Sequence, residues 1–179
     1  GKDFKYVWAL NTKTKLPYEG KKVKRFSFQY AYYLARSKYL VFNVRPPLWY
    51  RKREGQVFLE TWHGTPLKKL ALDMEYMDMS GNTDIKDYHQ KFYDTCKYWD
   101  YLVSQNTFST NIFKSCFAFS DRPMLQIGYP RNDILIKDNQ EDKIREYKKK
   151  LGLPLDKKII LYAPTWRDNE YSIRGKYKF

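Results

Sequence analysis

The 179-residue sequence predicts an α/β protein with a mostly parallel sheet and flanking helices. Apolar runs of strand length alternate with segments whose apolar residues recur at helical spacing. Repeated strand–helix–strand order is typical of parallel sheets with helices on both faces. Three apolar runs also continue directly into polar loops, namely VFLETWHGTP, MLQIGYPRND and IILYAPTWRD. This pattern predicts that the three loops meet at one edge of the sheet.

The first part of the chain contains three predicted strands and one helix. Residues 6–10 form a short apolar run that ends in the turn-rich segment NTKTKLPYEGKK. Ser27 is suited to capping a helix that continues to about Arg36, because apolar residues then recur at helical spacing. The segment KYLVFNV is predicted as a buried strand that ends before two prolines, and residues 57–59 are predicted as another strand.

The second part continues the alternation of helices and strands. A helix is predicted over residues 85–101, where four side chains fall on one side: Tyr88, Phe92, Cys96 and Trp99. This stripe is predicted to face the core, and the alternative is a membrane or partner face. The strand YLVS, a helix that begins near residue 107 or 109, and the strand MLQIG follow. Residues 138–154 have acids early and lysines late, as a helix prefers. The run KIILYA, residues 158–163, is predicted as a last buried strand.

The first polar loop contains the candidate base. In open α/β sheets, ligands bind outside the carboxyl ends of the strands, so the three loops should border one cleft. His63 follows a strand, and histidine side chains ionise near enough to neutral pH to take a proton from an alcohol. Gly64 beside it allows close approach of a ligand. The alternatives are that His63 only holds a loop, and that Thr65 and Pro66 begin a helix whose free N–H groups would still suit a phosphate.

The other two loops contain a cation and a hydroxyl group. Arg131, in GYPRND, has the planar donor geometry that suits phosphate oxygens. Its alternative role is a surface salt bridge, with Asn132 or Asp133 only capping a helix. In APTWRD, Pro164 and Thr165 can present a hydroxyl and backbone groups to a ligand. Trp166 could then serve only in packing, and Arg167 could only contact solvent. Each signal is weak alone, and only their convergence predicts a site. His89, by contrast, is predicted to be an ordinary surface or helix residue.

Positive charge is concentrated at the start of the chain. The formal net charge is +14, and residues 1–56 contain 14 basic and 3 acidic side chains. Such a field attracts nucleic acid, anionic lipid headgroups or phosphate-bearing substrates. The runs KKVKR and RKR lie near several of the 17 tyrosines. They are either solvated loops or part of a surface that seats the protein on anionic lipid.

Other features of the sequence argue against several classes of site. No apolar run approaches the ~20 residues of a membrane span, so any membrane association is expected to be peripheral. Cys96 and Cys116 match no metal or redox spacing, and no secretory signal is seen, which predicts reduced thiols in a cytoplasmic protein. There is no glycine-rich phosphate loop, zinc spacing or carboxylate metal cluster. Neither a metal nor a cofactor is predicted.

The three motifs together resemble a known family. TWHGTPLKKL, followed by GYPRND and then ILYAPTWRD, is similar in order and spacing to the CDP-glycerol glycerophosphotransferases, the teichoic acid polymerases and primases of Gram-positive cell walls. The resemblance implies a GT-B fold, in which two Rossmann-like domains enclose the active cleft. It implies that the terminal hydroxyl of a lipid-linked poly(glycerol phosphate) or primed acceptor attacks the β-phosphate of CDP-glycerol and releases CMP. It also implies a monotopic protein on the cytoplasmic face of the membrane, attached to its anionic surface.

The same resemblance implies roles for individual residues. His63 matches the histidine assigned as general base and also belongs to the CDP-glycerol site. The other matching positions that line this site are Trp62, Gly64, Thr65, Pro66, Pro130, Arg131, Pro164 and Thr165. The alternatives are a ribitol-phosphate transferase of the same superfamily, a basic nucleic-acid-binding module and a non-catalytic membrane-surface scaffold. No nucleic-acid motif is recognised, so no nucleic-acid partner is predicted.

The family architecture divides the chain near residue 137. Residues 1–137 are expected to form an acceptor-side Rossmann-like domain without its first strand. Residues 138–179 are expected to form a linker helix and the first strand of the nucleotide-binding domain. The chain is thus expected to be shortened at both ends, with a second family histidine and further donor contacts outside it. We expect these 179 residues alone to be catalytically inactive.

Overall fold

The strands of the computed structural model are all paired in parallel. The structure describes residues 3–11, 15–16, 18–76 and 84–164. In these ranges a small sheet pairs β1 (Val7–Ala9) with β2 (Lys21–Val23). The main sheet has the order β3-β4-β5-β6, with strands β3 (Tyr39–Phe42), β4 (Val57–Glu60), β5 (Tyr101–Ser104) and β6 (Met124–Gln126). The predicted α/β class with a mostly parallel sheet is confirmed.

Five α-helices occur in the described ranges, at positions close to those predicted. They are α1 (Phe28–Arg36), α2 (Ile85–Cys96), α3 (Thr107–Cys116), α4 (Asp133–Lys137) and α5 (Glu141–Lys150). Ser27 caps α1 as predicted, because its Oγ accepts a hydrogen bond from the Tyr30 N–H at 3.2 Å. Helix α2 ends earlier than the predicted residue 101, since Lys97 caps it and forms a turn with Tyr98.

Helices α1 to α3 pack on one face of the main sheet. The parallel register places Leu40, Phe58 and Leu102 on this face, and each is buried. They join one hydrophobic cluster with residues of the three helices: Tyr30, Leu34, Phe92, Cys96, Phe113 and Cys116. The predicted core stripe is confirmed, because Phe92, Cys96 and Trp99 are at most 2% exposed and Tyr88 is half-buried.

The opposite face of the sheet is apolar and partly open, since Val103 is buried there but other side chains are not. Tyr39, Val41 and Tyr101 are exposed there, and with Leu59 and Leu125 they line an apolar groove of about 260 Å³. Strands that are apolar on both sides predict helices on both faces. In the part of the chain that the structure describes, the prediction holds for one face only, because α1 to α3 all lie on the side of Leu40.

One predicted strand is absent. Residues 158–164 form neither strand nor helix, and Ile160, Leu161 and Tyr162 are more than 80% exposed. A strand requires a neighbour that satisfies its backbone N–H and C=O groups, and the described ranges place none beside this segment. The prediction of a buried strand is therefore wrong for this structure, although α5 before it is confirmed. The proposed division near residue 137 stays a prediction.

One arginine connects the ends of α2 and α3. The Arg122 guanidinium donates hydrogen bonds to the carbonyl oxygens of Cys96 (2.8 Å), Trp99 (3.0 Å) and Ala118 (2.7 Å). Carbonyls at helix ends lack partners within the helix. Arg122 satisfies these carbonyls from the loop that leads into β6, and so fixes the position of that strand.

Candidate active site

Two of the three predicted loops meet at the carboxyl edge of the sheet. The Arg131 side chain donates from Nη1 to the His63 carbonyl oxygen at 2.8 Å. The Thr65 hydroxyl lies 3.3 Å from the Tyr129 hydroxyl. Strand β5 separates β4 from β6, yet the loops that follow β4 and β6 touch because all three strands are parallel. The predicted meeting of the WHGTP and GYPRND motifs is confirmed.

The His63 imidazole is exposed and held in one orientation. Its Nδ1 lies 2.6 Å from the carbonyl oxygen of Asn43, at the end of β3. A carbonyl oxygen only accepts hydrogen bonds, so Nδ1 carries the proton. In the neutral ring Nε2 is then left with a lone pair, which a general base requires. Asn43 was missed from the sequence, although it also follows a predicted strand.

Trp62 anchors the histidine to the core. Its ring lies 4.7 Å from the Phe117 ring and 6.3 Å from the Phe92 ring. The His63 ring is 4.2 Å away. The Trp62 backbone has φ of +52°, a strained conformation for a bulky residue. Packing therefore keeps the chain in a turn that directs His63 outwards from the sheet edge.

A buried acid supports the same turn. Glu60, the last residue of β4, is 0% exposed, and its Oε1 accepts a hydrogen bond from the Trp62 N–H at 2.9 Å. Burial raises the pKa of Glu60 to about 9, and the Trp62 N–H offsets only part of that rise. The carboxyl is thus uncharged at neutral pH. The sequence signal for it was an acid inside the apolar run VFLE, directly before the motif.

The other predicted positions near His63 differ in exposure. Thr65 and Arg131 are exposed, Gly64 is partly exposed, and Pro66 is buried. The Arg131 guanidinium lies 4.4 Å from the Tyr129 ring. The alternative in which Thr65 and Pro66 begin a helix is wrong, because residues 65–70 form no helix and only a 3₁₀ turn, Ala71–Asp73, follows.

Pro130 and Arg131 lie in a 3₁₀ turn, Pro130–Asn132, directly before α4. Asn132 occupies the N-cap position of α4, as one alternative predicted, but its side chain makes no capping hydrogen bond. No salt bridge of Arg131 occurs in the described ranges.

The third loop is described only at its beginning. Pro164 is exposed, whereas Thr165 lies outside the described residues. Its place beside the other two loops therefore stays a prediction.

The second histidine has a contact away from this site. His89, on α2, donates from Nε2 to the Met74 carbonyl oxygen at 3.0 Å, which connects α2 to the segment after the first 3₁₀ turn. Within the described ranges, no group of three or more His, Cys, Asp or Glu side chains is placed to hold a metal ion. None of the helices in these ranges has both the length and the hydropathy needed to cross a bilayer.

Fold and site together define an α/β protein with a histidine and an arginine converging at the carboxyl edge of a parallel sheet. All 179 residues match the family described as CDP-Glycerol:Poly(glycerophosphate) glycerophosphotransferase. The chain belongs to this family.

Relatives and solved structures agree with this assignment. The chain is 44% identical over 180 residues to the teichoic acid poly(glycerol phosphate) polymerase of Bacillus spizizenii, covering 99% of this chain and 45% of that protein. The wall teichoic acid polymerase TagF superposes with a TM-score of 0.88 at 43% identity, covering 99% of this chain and 44% of TagF. A histidine-to-asparagine TagF variant soaked with CDPG gives a TM-score of 0.87 at 41% identity, over 98% of this chain and 44% of that one. This chain thus spans less than half the length of these proteins.

Proposed function

We propose that a complete enzyme containing this chain transfers glycerol phosphate from CDP-glycerol to the terminal hydroxyl of a lipid-linked poly(glycerol phosphate) acceptor. The oxygen of that hydroxyl forms a bond with the β-phosphorus of CDP-glycerol. The bond between this phosphorus and the oxygen that bridges to CMP breaks, and CMP leaves with the electron pair. The acceptor's proton passes to a base, so the products are a phosphodiester longer by one unit and CMP.

His63 is the proposed base, and its geometry is the observation that carries the proposal. The Nδ1–H group is occupied by the Asn43 carbonyl at 2.6 Å, which leaves Nε2 to accept the hydroxyl proton. The ring is stacked on Trp62 and exposed at the edge of the sheet. Orientation of this kind lowers the barrier without covalent participation.

Arg131 is proposed to neutralise the phosphates of the donor. Its Nη1 is bound to the His63 carbonyl, and a guanidinium keeps further N–H donors that suit phosphate oxygens. Phosphoryl transfer depends mainly on positioning and charge stabilisation. We propose that other residues of the three loops line the same CDP-glycerol site: Trp62, Gly64, Thr65, Pro66, Pro130, Pro164 and Thr165.

Glycerol phosphate is favoured over ribitol phosphate as the transferred group. Polymerases named for glycerol phosphate are 43–44% identical to this chain, whereas the Staphylococcus aureus ribitol-phosphate polymerases TarK and TarL are 26% and 25% identical. Family membership likewise favours a transferase over a nucleic-acid-binding module. We further propose that the enzyme works on the cytoplasmic face of the membrane, with the basic segment of residues 1–56 against anionic lipid.

The experiment is to incubate the complete enzyme with CDP-glycerol or CDP-ribitol and a lipid-linked acceptor analogue, and to follow CMP. We expect turnover of CDP-glycerol, and a loss of roughly 100-fold or more in kcat for His63→Ala. His89→Ala is the matched control, and it should keep its rate. Normal polymer synthesis by His63→Ala would remove the base role. The 179 residues alone should release no CMP.

A further inference from the structure

A second cleft lies at the same edge of the sheet as His63. It has a volume of about 460 Å³ and is bounded by the loop after β3, the segment before α1 and one side of α2. Among the described residues, its lining contains three cations, Arg25, Arg45 and Lys91, and no acid. Phe26, Tyr88 and Leu48 contribute apolar surface. The lining therefore matches an anionic ligand that also has hydrocarbon segments.

The cations of this cleft have no acidic partner in the part of the chain that the structure describes. Within residues 3–11, 15–16, 18–76 and 84–164, no ion pair involves any of the three. The Arg45 guanidinium lies 4.4 Å from the Phe92 ring centroid, and that of Arg25 lies 5.1 Å from the Phe26 ring. Stacking on a ring leaves the N–H donors in the guanidinium plane free to bind an anion. Both arginines are partly buried. Charges attract each other more strongly where less water screens them, so this burial strengthens the attraction of both arginines for an anion.

The backbone at the rim of the cleft is strained. Phe26 has φ of +62° and its side chain is 64% exposed. Bulky residues rarely adopt this conformation, and such strain clusters at ligand clamps. Exposure of a large ring in a strained backbone indicates that this residue serves the cleft rather than the core.

The cleft is adjacent to the candidate base. It begins at Val44, directly after Asn43, whose carbonyl orients His63. Arg45 lies 4.4 Å from the Phe92 ring, and that ring lies 6.3 Å from Trp62. With the 4.2 Å between the Trp62 and His63 rings, these distances place the Arg45 guanidinium within about 15 Å of the imidazole. One extended ligand can therefore reach both places.

We propose that this cleft binds a phosphodiester of the acceptor chain, upstream of the terminal hydroxyl that reacts at His63. The inference rests on the proposed transferase function. In-line phosphoryl transfer puts the attacking and leaving oxygens on opposite sides of phosphorus. Arg131 reaches His63 from the β6 side of the sheet and the cleft lies on the β3 side. The donor is thus assigned to the β6 side of His63, and the acceptor chain is assigned to the β3 side.

The test compares two double variants of the complete enzyme. Arg25→Gln with Lys91→Gln removes two charges from the cleft, neither of which belongs to the buried core. Lys24→Gln with Lys86→Gln makes a matched control, because these lysines lie on the same loop and the same helix but outside the cleft. Kinetics are measured with an acceptor of several glycerol phosphate units and with an acceptor of one unit.

We expect the cleft variant to raise KM for the long acceptor roughly tenfold, since each phosphate contact is charge-assisted. Its kcat, its KM for CDP-glycerol and its KM for the one-unit acceptor should match those of the control. Equal effects on both acceptors, an effect on CDP-glycerol alone, or no effect would overturn the proposal.

Two further measurements separate this proposal from its rivals. Flotation with phosphatidylglycerol vesicles tests for a membrane contact. Lys24 and Arg25 both belong to the basic segment that is proposed to face anionic lipid, so vesicle binding is compared between the cleft variant and the control. Weaker vesicle binding by the cleft variant than by the control, with an unchanged KM for the long acceptor, would assign the cleft to lipid headgroups and overturn the proposal. Binding of a soluble oligo(glycerol phosphate) without CDP-glycerol tests the cleft even if the enzyme releases no CMP. Weaker binding by the cleft variant than by the control supports the site, and equal binding refutes it.

Discussion

Glu60→Gln should remove a pH-dependent loss of stability from this protein. Glu60 is fully buried at the end of β4, and burial raises the pKa of its carboxyl from 4.5 to about 9. Between these pH values the native protein holds one more proton than the unfolded chain. The free energy of unfolding must therefore fall as pH rises through this window.

The size of the effect follows from the two pKa values. Each pH unit inside the window costs about 1.4 kcal/mol, so between pH 4.5 and pH 7 this one group lowers stability by roughly 3 kcal/mol. That is a large share of the ~5–15 kcal/mol that stabilises a typical domain. Glutamine has nearly the same shape and keeps an oxygen for the Trp62 N–H, but it does not ionise. Its advantage over glutamate should thus grow with pH.

The assay is urea unfolding of wild type and Glu60→Gln at pH 6, 7 and 8. The difference in unfolding free energy should change by about 2.7 kcal/mol across these two pH units in favour of glutamine. Burying the extra amide donor of glutamine changes the unfolding free energy by the same amount at every pH, so it does not affect how the difference between the two proteins changes with pH. Glu54→Gln makes the same chemical change on an exposed side chain and controls for net charge. Parallel curves for wild type and Glu60→Gln would show that the native carboxyl is ionised, and would refute the reasoning.

Three other predictions concern the packing around the site. Arg122→Ala removes a charged donor from three carbonyls and should lower the free energy of unfolding, measured in urea, by about 3 kcal/mol. A loss below ~1 kcal/mol would contradict the role of Arg122 in connecting the ends of α2 and α3. Burial raises the pKa of both the Cys96 and Cys116 thiols, so a disulfide reagent at pH 8 should label neither until urea unfolds the chain, and rapid labelling of native protein would contradict this burial. Trp62→Ala should cost about 3–5 kcal/mol in the same unfolding assay, with Trp62→Phe as the milder control, and equal stability of the two variants would argue against the anchoring role of the indole ring.

The parallel sheet and its functional edge could be predicted because their signals are local. Ser27 before an apolar stripe marks the start of α1, and Asp84 and Asn106 cap α2 and α3 in the same way. Once the strands are parallel, their carboxyl ends must share an edge. The meeting of His63 with Arg131 then follows, although 68 residues separate them.

The same signals could not predict which face of the sheet the helices cover. An apolar run shows that burial is favourable, but it does not identify the partner. Val41 belongs to such a run and is 66% exposed, because α1 to α3 pack on the other side. Ile160 belongs to another run and is 89% exposed, since no described strand lies beside it.

The orientation of His63 is a tertiary property, and this explains why its supports were missed. Asn43 and Glu60 have ordinary local roles in the sequence, and Trp62 was predicted to line the donor site rather than to support the histidine. Their joint effect appears only when β3 lies beside β4, so that a carbonyl from one strand end meets the imidazole from the next. The Trp62 turn costs on the order of 1–3 kcal/mol in backbone strain, which packing against Phe117 and the Glu60 hydrogen bond must offset. Stability and base orientation therefore depend on the same contacts, so a substitution that relaxes this turn should misplace Nε2 even where the chain remains folded.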